Sequence, residues 1–234
     1  MRILRAAGRP ATPWSNGGGV TREVAVHPPG AGWDAFAWRV SLADVTRDGP
    51  YSPLPGVRRI LTVVDGAGLE LTVDGTTRLL PDRCRPFAFP GGADTGSRLL
   101  DGPVVNLNVM LREGRADATV EMVRWSRVVE PVRGAYGGGA DGPEAVLVVA
   151  VEGETRLGTA GEPAVRLARF DAALVAGVDA GPAEVRTDGV AAVIRLSGPG
   201  PDPGPDPGPG PGFDPGPGPV DSARPARRQF KDTP

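Results

Sequence analysis

The sequence predicts an all-β protein built as a duplicated β-barrel, and three observations lead to this fold class. Residues 1–197 contain short β-rich runs in which apolar and polar positions alternate, and they show little helical periodicity. Asp-Gly dipeptides end several of these runs, which is typical of β-hairpins. Similar runs recur later in the chain at a nearly constant offset. Strands this short and evenly spaced favour a sandwich or a barrel.

The internal repeat rests on three matches. ILTVVDGAGLELTV begins at Ile60 and AVLVVAVEGETRLG at Ala145, an offset of 85 residues. TRLLPDRCRPFAFPG and VRLARFDAALVAGVD are offset by 88 residues, and the Asp-Gly pairs that begin at 101 and 188 are offset by 87. This spacing is too long for a solenoid repeat. It predicts two β-domains, residues 1–115 and 116–197.

The first element contains the glycine-rich stretch PWSNGGGVTRE, residues 13–23. No Lys follows the glycines as a P-loop requires, and VTREVAV continues as a strand, so a nucleotide-binding loop is not expected. The glycines instead predict positive φ angles or a close backbone approach, with Trp14 and Asn16 beside it. In a regular strand Arg22 and Glu23 point to opposite faces, so at most one enters a barrel, although a β-bulge would change this parity.

Arginines form a second candidate feature of the first-half strands. Arg22, Arg39 and Arg59 lie in or beside these strands, and Arg39 shares a face with Ser41 in AWRVSLAD. A strand arginine of this kind either extends its charged end to solvent or bonds a carboxylate. The carboxylate can be one of the protein's own, such as Glu23, or that of an anionic ligand. The sequence leaves these interpretations open.

The strand VVNLNVML carries two amides on one face. Asn106 and Asn108 alternate with apolar residues, and the repeat places Val193 and Arg195 at the equivalent positions. Inside a barrel the amides would need partners, which a polar ligand could supply. Alternatively they face solvent or bond to neighbouring strands.

Composition excludes several classes of function. The net charge of -2 gives no basic field for nucleic acid. No apolar run is long enough for a membrane helix, and the N-terminus lacks a secretory signal. Cys84 is the single cysteine, so no intrachain disulfide can form. We therefore expect a soluble, cytoplasmic protein that binds neither nucleic acid nor membrane.

Neither a metal nor a cofactor is expected. His27 is the single histidine, so a barrel site with several histidines cannot form. No cluster of Asp and Glu suggests an Mg²⁺ or Ca²⁺ site. Cys84 lies between Arg83 and Arg85, which could activate a thiol, but a structural cysteine is the favoured interpretation.

The C-terminal residues 198–234 are dominated by Pro and Gly up to residue 219. This composition has almost nothing to bury, so it predicts a disordered tail with polyproline II character. We treat it as a dispensable extension, with docking to a protein partner as the alternative.

Several blocks together resemble the HutD/Ves family: PWSNGGGVTRE, WRVSLADVTRDGPYSPLPGVRRILTVVDGAGLEL, PFAFPG and LLDGPVVNLNVMLREG. The resemblance runs from about Pro13 to Gly114 and continues more weakly to about Leu196. It implies a cupin-type barrel, duplicated as a bicupin, without a metal. It also implies a pocket in the N-terminal barrel and a regulatory role in histidine utilisation. Tyr51 stands where the family pattern has Phe.

The resemblance and the residues together give a candidate ligand site for a small anionic metabolite such as formate or a formylglutamate-like acid. We expect its lining to be Trp14, Asn16, Arg22, Glu23, Arg39, Ser41, Tyr51, Arg59, Asn106 and Asn108. A binding or regulatory protein is the first hypothesis. The alternatives are a metal-free isomerase or hydrolase with Glu23 as general base, and an interaction module that forms a homodimer.

Overall fold

Every regular element in the described part of the chain is a β-strand. The computed structural model describes residues 1–129, 145–159, 163–176 and 183–198. Within these ranges no helix has the length and apolarity needed to span a membrane. The strands are β1 (Arg2–Leu4), β2 (Thr12–Pro13), β3 (Gly19–His27), β4 (Trp38–Val45), β5 (Gly49–Pro50), β6 (Val57–Asp65), β7 (Leu69–Val73), β8 (Thr76–Leu80), β9 (Phe87–Pro90), β10 (Thr95–Leu99), β11 (Val104–Arg112), β12 (Asp117–Val129), β13 (Ala145–Glu152), β14 (Thr155–Thr159), β15 (Val165–Leu167), β16 (Ala172–Ala176) and β17 (Ala183–Ser197).

The strands form three antiparallel sheets. In the first half, a six-stranded sheet has the order β2-β3-β4-β11-β6-β9, and a four-stranded sheet has the order β5-β10-β7-β8. The second half forms one seven-stranded sheet, β1-β16-β13-β17-β14-β15, with β12 also paired to β17. The predicted all-β fold class is confirmed.

Four strand pairings of the first half recur in the second half. In the first half β6 pairs with β11 and β9, while β7 pairs with β10 and β8. In the second half β13 pairs with β17 and β16, while β14 pairs with β17 and β15. The long strand β17 thus takes the places of both β10 and β11. This recurrence is what the interpretation of a duplicated unit predicts.

The inner faces of the two halves differ in chemistry. Asn108 pairs with Leu61 in the first half, and Arg195 pairs with Val146 at the equivalent position of the second. The inner face of the second half is filled by an apolar cluster that includes Val148 and Val193. In the first half a similar apolar cluster fills one end, and polar side chains follow it.

The outer faces of the two halves share one hydrophobic core. Alternation along the strands turns Val40 and Leu107 of the six-stranded sheet away from its inner face, where they pack in one cluster with Leu147 and Ile194. Each of these side chains is buried, which contributes about 1.5–3 kcal/mol per residue relative to exposure. This core packs against the outer face of the six-stranded sheet, so the inner face is the one available for a site.

The N-terminal residues belong to the second-half sheet. Strand β1 pairs with β16, and the buried carboxylate of Asp171 holds the residues that follow β1. Asp171 accepts hydrogen bonds from Arg5 Nη1 at 2.7 Å, from the Ala6 amide at 2.7 Å and from the Ala168 amide at 3.1 Å. Burial opposes the ionised carboxylate, but these donors outweigh it and hold the pKa of Asp171 below its ordinary value.

The predicted boundaries fall at identifiable places. The boundary after residue 115 lies in the turn between β11 and β12. The predicted disordered tail is residues 198–234, and all of them except Gly198 lie outside the described residues.

Candidate functional site

A cavity of about 510 Å³ is lined by the inner face of the six-stranded sheet and by nearby loops of the first half. This volume is in the range of small-molecule sites. Nine of the ten residues predicted from the sequence line it: Trp14, Asn16, Glu23, Arg39, Ser41, Tyr51, Arg59, Asn106 and Asn108.

The cavity wall changes from apolar to polar along each strand. On β11 the inner face begins at Val104, which belongs to the apolar cluster, and continues to Asn106 and Asn108. On β6 it changes from Val63 in the same cluster to Arg59 in the cavity. Because strand side chains alternate, neighbouring strands present their polar residues on the same face. The cavity therefore ends at an apolar cluster, and polar side chains line the rest of its wall.

Arg59 is a buried cation in this cavity. Arg59 is 9% exposed, and its Nη2 donates a hydrogen bond to Asn108 Oδ1 at 3.2 Å. The guanidinium carbon lies 4.9 Å from the centre of the Tyr51 ring and 5.3 Å from that of Phe89. Within the described residues no carboxylate forms an ion pair with it. Burial lowers the pKa of Arg59, but a guanidinium remains protonated, so the site keeps a positive charge without a counter-charge.

Tyr51 connects Arg59 to the amide of Asn106. Asn106 Nδ2 donates a hydrogen bond to Tyr51 Oη at 3.4 Å, and the ring of Tyr51 meets that of Trp14 edge-on at 6.2 Å. Burial raises the pKa of the Tyr51 hydroxyl, so it stays protonated at neutral pH. The hydroxyl that distinguishes Tyr51 from the family pattern therefore holds one end of the Asn106 amide.

Arg39 is the second cation of the cavity, and it has an internal partner. Its Nη2 forms an ion pair with Glu23, and its guanidinium carbon lies 4.3 Å from the centre of the Trp33 ring. The Arg39 side chain is 15% exposed and that of Glu23 is 39% exposed, which places the pair toward solvent. The carboxylate pairing that the sequence left open is thus present at Arg39 and missing at Arg59 among the described residues.

The glycine-rich stretch forms a tight turn beside the cavity. Gly17 has a φ of 66°, and a Cβ added at Gly19 would lie 2.2 Å from the backbone oxygen of Asp44. Asn16 Oδ1 accepts a hydrogen bond from the Gly18 amide at 2.9 Å, which closes the turn. Both glycine roles expected from the sequence, positive φ and close backbone approach, are confirmed.

Arg22 is the one predicted residue that the structure places outside the cavity. Glu23 pairs in register with Ser41 on the inner face, whereas Arg22 pairs in register with Leu42, whose side chain lies in the shared outer core. The Arg22 guanidinium forms an ion pair with Asp44. The bulge in β3 comes after Glu23, so the regular alternation decides which of the two residues faces inward.

Four buried polar atoms of the cavity have no hydrogen-bond partner within the described residues. They are Arg39 Nη1, Arg59 Nε, Ser41 Oγ and Asn106 Oδ1. Ser41 and Asn106 are each 1% exposed. Because buried polar atoms are normally satisfied, these atoms mark where a polar ligand would be held.

Sequence reasoning missed some of the lining residues. Thr21 and Met110 also line the cavity, and both could have been found because they share strand faces with Glu23 and Asn108. Trp33 lies in the loop after β3, where no strand periodicity indicates direction. Its position over Arg39 follows from tertiary packing alone.

The residues considered for metal and thiol chemistry lie elsewhere. His27 stacks on Trp38 with ring centres 5.6 Å apart. No group of three His, Cys, Asp or Glu side chains in the described ranges could hold a metal ion. Burial raises the pKa of the Cys84 thiol despite the opposing charges of Arg124 and Arg83, which disfavours the thiolate that activation would require.

Comparison with known sequences relates this site to one family. A family model described as HutD matches residues 6–193. An uncharacterized 21.2 kDa protein in the hutC 3' region of Pseudomonas putida is 38% identical over 123 residues, which are 52% of this chain and 63% of that protein. Protein Ves of Cronobacter sakazakii is 34% identical over 123 residues, which are 52% of this chain and 66% of that protein. Both relatives are thus matched over less than two thirds of their own length.

Solved structures extend the likeness over most of the described chain. The structure of HutD from Pseudomonas fluorescens SBW25, in a formate condition, has a TM-score of 0.69 and 32% identity, and the match covers 85% of this chain and 99% of that one. A conserved protein of unknown function from Pseudomonas aeruginosa PAO1 has a TM-score of 0.70 and 30% identity over 85% of this chain and 98% of that one. The match of the family model to residues 6–193, together with these relatives, shows that the chain belongs to the HutD/Ves family.

Proposed function

We propose that this protein binds a small carboxylic acid in the first-half cavity and has a regulatory role in histidine utilisation. The observation that carries the proposal is Arg59, a buried cation that opens on the cavity and has no carboxylate partner within the described residues. The regulatory context is supported by the family and by the P. putida relative, whose name refers to the hutC 3' region.

The energetics favour an anion over a neutral ligand. A buried charge without a counter-charge is costly, and a carboxylate offers a guanidinium two acceptor oxygens. A hydrogen bond to a charged group contributes about 1.5–3 kcal/mol. Arg59 Nε and Arg39 Nη1 are both buried without partners in the described chain, so a bound carboxylate has donors ready.

A metal-free enzyme acting on a small carboxylic acid is the second candidate, because Glu23 lines the cavity and could act as a general base. The ion pair with Arg39 opposes that role, because it engages an oxygen of the carboxylate that would have to accept the proton. Incubation of the purified protein with each acid that it binds, followed by chromatography of the products, separates the two functions. Turnover that is lost in the Glu23→Gln variant would favour the enzyme.

The proposed function predicts selective binding of acids over their amides. Formate, urocanate and N-formylglutamate are compared with formamide and urocanamide by thermal shift and calorimetry. At least one acid is expected to raise the melting temperature, because a ligand at 100 times its Kd stabilises the folded state by about 2.7 kcal/mol. The amides should give no shift at the same concentration. If the amides bind as well as the acids, or if neither these acids nor a small hydroxy acid such as lactate binds, the proposal fails.

A further inference from the structure

The geometry points to a ligand with a single negative charge that also carries a hydroxyl or N–H group close to its carboxylate. This inference rests on the proposed function, since it assumes that the cavity binds an acid. It names the class of acid: a hydroxy acid or an N-acyl amino acid with one carboxylate. Two separate features of the cavity lead to it.

The first feature is the charge of the lining. Three charged side chains line the cavity, namely Glu23, Arg39 and Arg59. Glu23 and Arg39 form an ion pair, so Arg59 alone supplies the uncompensated charge of the lining. A second carboxylate on the ligand could accept from Arg39 Nη1, but it would then share that cation with the carboxylate of Glu23. Two carboxylates that share one cation repel each other, so a second negative charge on the ligand is disfavoured.

The second feature is an acceptor that a carboxylate cannot satisfy. Asn106 Oδ1 is buried and has no hydrogen-bond partner among the described residues. The other end of the amide, Nδ2, donates to Tyr51 Oη at 3.4 Å, so Oδ1 is the end left to accept from a ligand. An ionised carboxylate is an acceptor only, so it cannot bond to this oxygen. A ligand that satisfies both Arg59 and Asn106 needs an O–H or N–H group in addition to its carboxylate.

The spacing of these groups limits where the donor lies on the ligand. Asn106 and Asn108 are two residues apart on one strand face, which separates them by about 6–7 Å. Arg59 donates a hydrogen bond to Asn108, so its guanidinium lies near the Asn108 amide. The oxygen that could accept from a ligand, Oδ1, belongs to Asn106. A donor a few bonds from the carboxylate can therefore reach Asn106 while the carboxylate contacts Arg59.

The test uses four acids that differ by one group each. Propionate has the carboxylate alone, lactate adds a hydroxyl, 2-methoxypropionate keeps that oxygen without its proton, and malate adds a second carboxylate to a hydroxy acid. Each is titrated into the ¹⁵N-labelled full chain and followed by NMR, which measures millimolar affinities. Lactate should bind about tenfold more tightly than propionate, 2-methoxypropionate or malate, because a buried hydrogen bond contributes about 1.4 kcal/mol.

Two variants connect this preference to Asn106. In Asn106→Leu the acceptor is removed, so lactate and propionate should bind with equal affinity. In Tyr51→Phe the aromatic contact with Arg59 remains while the amide is no longer held, so the preference for lactate should fall without loss of folding. The melting temperature and the amide spectrum of each variant show that it is folded.

The outcomes separate this inference from the proposed function. Equal binding of propionate and lactate to the wild type would overturn the donor requirement while leaving anion binding in place. Tighter binding of 2-methoxypropionate than of propionate, equal to that of lactate, would show that the site recognises an oxygen and not a donor. Malate that binds as tightly as lactate would overturn the single-charge requirement. If none of the acids in this series or in the acid and amide series binds, the proposed function itself fails.

Discussion

Replacing Arg59 with Met is expected to weaken acid binding strongly and to leave the fold at least as stable. The guanidinium is buried over the cavity without a carboxylate partner in the described chain, so its loss removes the charge that holds the ligand. The affinity for the acid should fall by about 30- to 150-fold, which corresponds to 2–3 kcal/mol. Because Met fills a similar volume without a buried charge, the melting temperature should be unchanged or higher. Calorimetry measures the first effect and thermal unfolding the second.

Arg22→Met is the matched control. Arg22 lies on the same sheet but pairs with Asp44 outside the cavity, so its substitution should leave acid affinity unchanged. An Arg59→Met protein that is folded and binds acids with wild-type affinity would contradict the proposed site. Equal losses of acid affinity in both variants would indicate a general effect of removing a positive charge.

Replacing Asp171 with Ala is expected to lower the free energy of unfolding by about 2–4 kcal/mol without affecting acid binding. The buried carboxylate accepts hydrogen bonds from Arg5, Ala6 and Ala168, and its removal leaves two backbone amides without this acceptor. Urea unfolding measures the loss. Asp82→Ala is the control, because the Asp82 side chain is 70% exposed and its change should stay within about 0.5 kcal/mol. A loss of less than 1 kcal/mol in the Asp171 variant would contradict this role.

The same variant should show a defined dependence on pH. The folded-state pKa of Asp171 is held below its ordinary value of 3.8, so its contribution to stability is present above that pH. The contribution is lost as the pH falls through the folded-state pKa, because the unfolded chain then binds the proton more readily. The difference in unfolding free energy between wild type and Asp171→Ala should therefore be constant near neutral pH and shrink in acid.

Strand periodicity accounts for the part of the site that could be predicted from the sequence. Asn106 and Asn108 share an inner face because side chains alternate along β11, and Arg39 and Ser41 share one on β4 for the same reason. The pairing of Arg39 with Glu23 was also among the predicted alternatives. These features depend on local alternation and on which strands neighbour each other, and both follow from short-range patterns.

Other features depend on tertiary structure and could not be predicted. The sequence did not decide between Arg22 and Glu23, since the answer depends on where the bulge in β3 falls. The position of Trp33 over Arg39 is set by a loop without periodicity. That no described carboxylate forms an ion pair with Arg59 is also a property of the tertiary structure. The pairing of β1 with β16 is likewise a long-range contact without a local signal.

The two halves of the chain differ in a way that explains why the site lies in the first. Equivalent strands carry Asn108 in one half and Arg195 in the other, and the second inner face is packed with valine, leucine and alanine. The shared outer core fixes the six-stranded sheet from behind. The second half packs against the outer face of that sheet, and the first half contains the cavity of about 510 Å³.

The most direct test of the central claim is an NMR titration that observes the arginine Nε–H groups of the ¹⁵N-labelled full chain while an acid is added. Arg59 Nε is buried without a hydrogen-bond partner in the described chain, and its resonance is assigned by its loss in Arg59→Lys. We expect a saturable shift of this resonance, with a titration midpoint that gives the same affinity as calorimetry and with no shift at Arg22. Saturation of the calorimetric signal with no change at Arg59 Nε would contradict it.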